Sequence, residues 1–148
     1  MSQSLANILT HVIWSTKERQ ALITDDVRLG LHGYMAGILK NVESPALIIN
    51  SMPDHVHVLC QLSKNLAACK LVETVKKESS KWMKKNGVSL FAWQNGYGLF
   101  SVSQSNSAAV RRYIETQAEH HEQRDFRAEF RAFCKRHKVA IDERYVWD

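Results

Sequence analysis

The 148-residue sequence contains no apolar run close to the ~18 residues that a membrane-spanning helix requires. Its opening Met1-Ser2-Gln3-Ser4 carries neither the basic nor the apolar region of a secretory signal. Those two absences lead us to expect a cytoplasmic protein without a membrane partner. Cysteine is scarce: Cys60, Cys69 and Cys134 are odd in number and lack a C-x-x-C spacing, which argues against a disulfide framework, a zinc ribbon or a dithiol redox site. We assign them no chemistry. There is no nucleotide-triphosphate motif, no internal repeat and no low-complexity linker, so one domain spanning 1–148 is expected. Acidic residues are the minority charge, 15 against 20 Lys and Arg, giving a net charge of +5. That balance favours a polyanionic partner such as nucleic acid. With 45% hydrophobic and 24% charged residues the chain has the makings of a core and is not a disordered polymer.

Apolar periodicity divides the chain into elements. Residues 7–16 are β-branched, aromatic and apolar on both faces, as a central strand is. From Thr24, a candidate N-cap, the positions Val27, Leu31, Tyr34, Ile38 and Val42 recur at helical spacing. Ser44-Pro45 ends that helix, and a short strand over 46–50 is joined by Met52-Pro53-Asp54 to a second one, as a hairpin. A helix over 67–85 follows, with Ala68, Leu71, Val75 and Trp82 inward and Asn86-Gly87 as its stop. A strand over 99–103 leads to a helix over 108–121, capped by Ser107 with Val110, Ile114 and Ala118 inward. Phe126, Phe130 and Phe133 mark a further amphipathic helix. The order β-α-β-β-α-β followed by helices predicts an α+β ferredoxin-like sandwich, an antiparallel sheet with helices on one face plus C-terminal helices.

The strand Asp54-His-Val-His-Val-Leu-Cys-Gln-Leu62 draws attention to itself. Alternation puts Val56, Val58, Cys60 and Leu62 on one face and His55 with His57 on the other, so two imidazoles can meet one metal ion. Two ligands alone fit a pair of half-buried structural histidines equally well. In the helix over 108–121, Tyr113 and Gln117 lie four apart and share a face next to the apolar stripe. Gln117 offers an oxygen for a metal, and Tyr113 a phenol able to attack phosphorus once deprotonated; amphipathic packing explains such a tyrosine as well. His120 and His121 stand one turn further on, as added ligands, phosphate contacts or helix-end histidines. Lys77, Lys81 and Lys84, with Lys76 and Lys85, crowd the second helix, and Arg111 and Arg112 flank the tyrosine, as nucleic-acid contacts or a solvated face.

The joint pattern is more specific. His55-Val-His57, Tyr113-Ile-Glu-Thr-Gln117 and Gly96-Tyr-Gly-Leu-Phe-Ser-Val-Ser103, set between His11-Val-Ile-Trp-Ser-Thr-Lys17 and Asp142-Glu-Arg-Tyr145, resemble the single-tyrosine HUH transposases of the insertion-sequence-200-like family, which includes the REP-associated tyrosine transposases. The resemblance implies a metal-dependent DNA transposase that cuts and rejoins single-stranded DNA beside hairpins through a 5′-phosphotyrosine. It implies Tyr113 as nucleophile, His55, His57 and Gln117 as ligands to Mg²⁺ or Mn²⁺, and a homodimer in which each tyrosine helix reaches its partner's histidines. Imidazole ligands make Mn²⁺ the better physical fit. The alternatives are a host-retained, non-catalytic single-strand-binding protein of the same fold, and a small zinc hydrolase.

Overall fold

A computed structural model describes residues 2–121 and 124–148. Four strands, β1 (Leu9–Ser15), β2 (Ala46–Met52), β3 (His55–Gln61) and β4 (Gly98–Val102), form one antiparallel sheet in the order β2-β3-β1-β4. This is the strand order of a ferredoxin-like sandwich, as expected from the element order. β1 is buried along its whole length because it lies between β3 and β4. Its apolarity on both faces is the sequence signature of that position.

Helices α1 (Asp25–Asn41) and α2 (Ala68–Lys85) cover one face. Val12, Trp14, Val56, Val58 and Cys60 from the sheet meet Val27, Leu31, Met35 and Leu39 of α1 and Leu71, Val72, Val75 and Met83 of α2. Each such aliphatic side chain contributes about 1.5–3 kcal/mol on burial, which makes this layer the stabilising body of the fold. Gly30 lets α1 and α2 approach closely: a Cβ there would stand 2.8 Å from the Trp82 ring. Tyr34, expected inward, is 40% exposed and stacks on Trp82 at 5.9 Å, while Met35 and Leu39 take the buried stripe. Val27, Leu31 and Ile38 are buried as expected; Tyr34 alone gives way to Met35, because the indole fills the space above Gly30.

The opposite face is covered by the C-terminal half. Helices α3 (Ser107–Glu115), α4 (Gln117–His121) and α5 (Phe126–Arg136) follow β4. Phe126, Phe130, Phe133 and Cys134 of α5 pack on Ile13 and Phe100, with Tyr113, Ile141, Val146 and Trp147 around them. Gly98 is needed here, since a Cβ would come within 2.8 Å of the Phe130 ring. The single helix expected over 108–121 is broken at Thr116. The Thr116 hydroxyl bonds back to the Arg112 carbonyl at 3.0 Å, and Asn50 of β2 donates to the Ile114 carbonyl at 2.8 Å. A side chain from the sheet therefore takes a carbonyl that a continuing helix would use. As a result Ala118, expected inward, is exposed and Gln117 is buried instead. Among the described residues no helix is long and apolar enough to cross a membrane.

Candidate active site

Pairing places the histidines. His55 lies opposite Ser15 and His57 opposite Ile13 on β1, so both imidazoles rise from the face covered by α3 and α5. They are 1% and 0% exposed. Each ring is fixed through Nδ1. His55 Nδ1 is 2.6 Å from Asp54 Oδ1, and His57 Nδ1 is 2.8 Å from Nε2 of His11, its diagonal neighbour on β1. Both Nε2 atoms converge on Glu129 Oε1, at 3.4 Å from His55 and 2.9 Å from His57.

Glu129 arrives on α5. Asp125 caps that helix by accepting from the Ala128 amide at 2.9 Å. One turn later Glu129 falls inside the stripe Phe126, Phe130, Phe133 and Cys134, and is fully buried. Its second oxygen, Oε2, accepts the hydroxyl hydrogen of Tyr113. Arg124 Nη2 in turn donates to the Tyr113 hydroxyl at 3.3 Å. The phenol is pinned between a carboxylate and a guanidinium, with its ring edge-on to Phe133 at 5.6 Å.

These surroundings set the proton affinities. Burial would lower the His55 pKa, but the hydrogen bonds to Asp54 and Glu129 outweigh it, so it is raised. His11 is pushed well below its usual value, first by burial and then by His57, and is a neutral imidazole. Tyr113 is held well above an ordinary phenol by burial and by Glu129, with Arg124 opposing. In this state the tyrosine is a protonated donor.

A ring nitrogen of His55, a ring nitrogen of His57 and a Glu129 oxygen lie within 4.8 Å of one another, a spacing that one cation can span. Gln117 is 1% exposed, and neither its oxygen nor its nitrogen has a hydrogen-bond partner among the described residues. Burying an unpartnered amide in this way costs about 1–3 kcal/mol, of which a ligand for its oxygen would offset only the oxygen's share. Two imidazoles with a carboxylate oxygen suit a divalent ion.

The structure thus brings His55, His57 and Tyr113 together and buries Gln117 just beyond the break at Thr116. In the single chain described, Tyr113 sits beside its own His57, with ring centroids 6.1 Å apart. The resemblance implies a partner's histidines there. Lys77, Lys81 and Lys84 are exposed, but α2 packs on the opposite face of the sheet from the imidazoles. Lys76 does not join them. Its ammonium bonds the carbonyls of Gln94, Asn95 and Gly96 at 2.9, 3.1 and 2.6 Å, and burial lowers its pKa to about 8. Arg111 and Arg112 are exposed on α3, Arg111 facing Glu115 at 3.5 Å. The side chains of His120 and His121 lie outside the described residues. The sequence reading passed over Glu129 and Arg124; a glutamate inside the Phe126, Phe130, Phe133 stripe was the available signal for the first.

Comparison with known proteins gives the family. The family described as "Transposase IS200 like" matches residues 4–117, a span that holds both histidines, Tyr113 and Gln117. The ISDra2 transposase TnpA of Deinococcus radiodurans is 28% identical over 116 residues, covering 72% of this chain and 81% of its own. A crystal structure from Deinococcus radiodurans, of a protein assigned as a transposase, superposes with a TM-score of 0.64 at 25% identity, over 79% of this chain and 98% of that one. A REP-associated tyrosine transposase bound to a REP hairpin shares the fold, with a TM-score of 0.52 at 13% identity over 77% of this chain and 68% of that one. With more than half of its residues matching the family, and the tyrosine and paired histidines gathered on one sheet face, the chain belongs to the IS200-like transposases.

Proposed function

We propose that this transposase cuts and rejoins single-stranded DNA beside a hairpin, with Tyr113 as the nucleophile and a divalent metal, Mn²⁺ or Mg²⁺, on His55 and His57. The observation that carries the reading is one carboxylate, Glu129, that touches both imidazoles and the Tyr113 hydroxyl. Gln117, buried without a partner among the described residues, supplies an oxygen ligand. The ion, when bound, neutralises charge on the phosphate and orients it for in-line attack. Tyr113 Oη forms the new bond to phosphorus as the bond from phosphorus to the 3′ oxygen breaks. The phenol gives up its proton and the leaving oxygen takes one, so the products are a 5′-phosphotyrosine and a free 3′-hydroxyl. Arg124, next to the phenol, favours its anionic form. The stored ester then lets a second strand end rejoin without a nucleotide triphosphate.

The active form is a homodimer in which each tyrosine serves its own chain's histidines, a choice supported by the 6.1 Å between the Tyr113 and His57 rings. Incubation with a hairpin-bearing single strand and Mn²⁺ should give a protein–DNA adduct on denaturing gels, and Tyr113→Phe should abolish it. An adduct from that variant would assign the chemistry to another residue. Mixed dimers of Tyr113→Phe with His55→Ala/His57→Ala should stay inactive if the sites lie within one chain. Recovered cutting would move the tyrosine into its partner's site.

A further inference from the structure

We infer that Glu129 is the joint between the metal and the nucleophile: a ligand through Oε1, and through Oε2 the positioning residue that holds Tyr113. The inference rests on the reading of Tyr113 as nucleophile, and adds a ligand that the sequence resemblance does not supply.

The donor chemistry comes first. Two neutral imidazoles and the neutral amide of Gln117 leave both charges of a divalent cation uncompensated in a buried site. A carboxylate supplies the missing negative charge and the oxygen donor that Mn²⁺ and Mg²⁺ favour. Glu129 Oε1 stands 2.9 Å from His57 Nε2 and 3.4 Å from His55 Nε2, so the carboxylate already lies where both imidazoles point. The imidazoles keep their Nδ1 atoms engaged with Asp54 and His11, which leaves their Nε2 atoms for the ion.

Glu129 is also held rigidly. Glu129 is fully buried on a helix that is capped by Asp125 and packed through Phe126, Phe130 and Phe133. Its Oε2 accepts from Tyr113, whose own helix α3 ends two residues later at Glu115. A tyrosine near a helix end is held loosely by its backbone alone. The carboxylate fixes its hydroxyl within the width of one carboxyl group from the atoms that bind the metal. Alignment of the nucleophile is therefore set by α5, which lies beyond the residues 4–117 that match the family.

The test begins without DNA. Calorimetric titration with Mn²⁺ should show affinity lowered at least tenfold in Glu129→Gln, which keeps the side-chain size but removes the charge. Glu129→Asp should recover affinity but not the single-turnover rate of adduct formation at saturating Mn²⁺, because the shorter side chain cannot span from ion to phenol. Mn²⁺ affinity of Glu129→Gln within twofold of wild type overturns the inference. Should Glu129→Gln not fold, difference infrared spectra of Asp54→Asn protein decide instead. Addition of Mn²⁺ should shift a carboxylate stretching band, and the absence of any shift overturns the ligand role. Tyr113→Phe separates this from the parent reading. Loss of its adduct together with unchanged metal binding in Glu129→Gln would sink the inference alone, whereas an adduct from Tyr113→Phe would sink the nucleophile.

Discussion

His11 offers a sharp perturbation of the metal site from outside the ligand set. It is 2% exposed, its Nε2 is 2.8 Å from His57 Nδ1, and its ring stands edge-on to Phe133 at 4.9 Å. For His57 to present the Nε2 lone pair to a cation, its Nδ1–H must donate, and neutral His11 Nε2 is the acceptor that secures this tautomer. His11→Phe keeps an aromatic ring against Phe133, in a somewhat larger side chain, but leaves His57 Nδ1 buried without that acceptor. Loss of one partner from a buried pair costs about 1–3 kcal/mol, readable as a lower urea midpoint of the metal-free protein. Mn²⁺ affinity should fall about 10- to 100-fold, the usual effect of removing a group that orients a ligand. His11→Gln, whose amide oxygen can stand where Nε2 was, should recover most of both. Calorimetry on the three proteins is the assay. If His11→Phe bound Mn²⁺ as tightly as wild type, the bond to His57 would not orient the ligand and the reasoning would be wrong.

Two further outcomes follow from the charged groups. Burial and Arg28 lower the His32 pKa to about 4, so the unfolded chain takes up a proton near pH ~6.5 that the folded chain refuses until about pH 4. Stability is full above the higher value and is lost as pH falls through that window, by about 1–2 kcal/mol after solvent screening; His32→Gln should flatten the dependence, measured by urea unfolding at pH 7, 5.5 and 4.5. Replacement of Lys77, Lys81 and Lys84 by Gln should reduce the salt dependence of hairpin binding, read as a shallower log–log slope, with cutting chemistry at saturating DNA left intact because α2 lies on the far face of the sheet. An unchanged slope would make those lysines a solvated surface.

The sheet was legible because alternation is a local signal. The run 54–62 splits into Val56, Val58 and Cys60 against His55 and His57, and the structure keeps that division. Element order then fixed the architecture, since β-α-β-β-α-β has few ways to bury its apolar faces. What escaped the sequence depends on contacts between distant segments. The break at Thr116 needs Asn50, 64 residues away from Ile114, to take a helix carbonyl. Tyr34 left the core because Trp82 of another helix came to lie over Gly30. Glu129 was hidden for a related reason. A carboxylate inside an aromatic stripe becomes meaningful only when the strand beneath it is known to carry imidazoles, and His57 lies 72 residues earlier.

The division of the two apolar layers has a consequence for access. The layer beneath α1 and α2 is built from residues 12–93, whereas the layer over the histidines is closed by α5 and the chain end. Gln94 links the two ends of this arrangement, accepting from the Ser15 amide at 2.7 Å and reaching the Asp148 carbonyl at 3.4 Å. The first layer draws no residue from α5, so a substitution that loosens α5 should uncover the histidines while the packing beneath α1 and α2 is kept: the site can be lost without the fold.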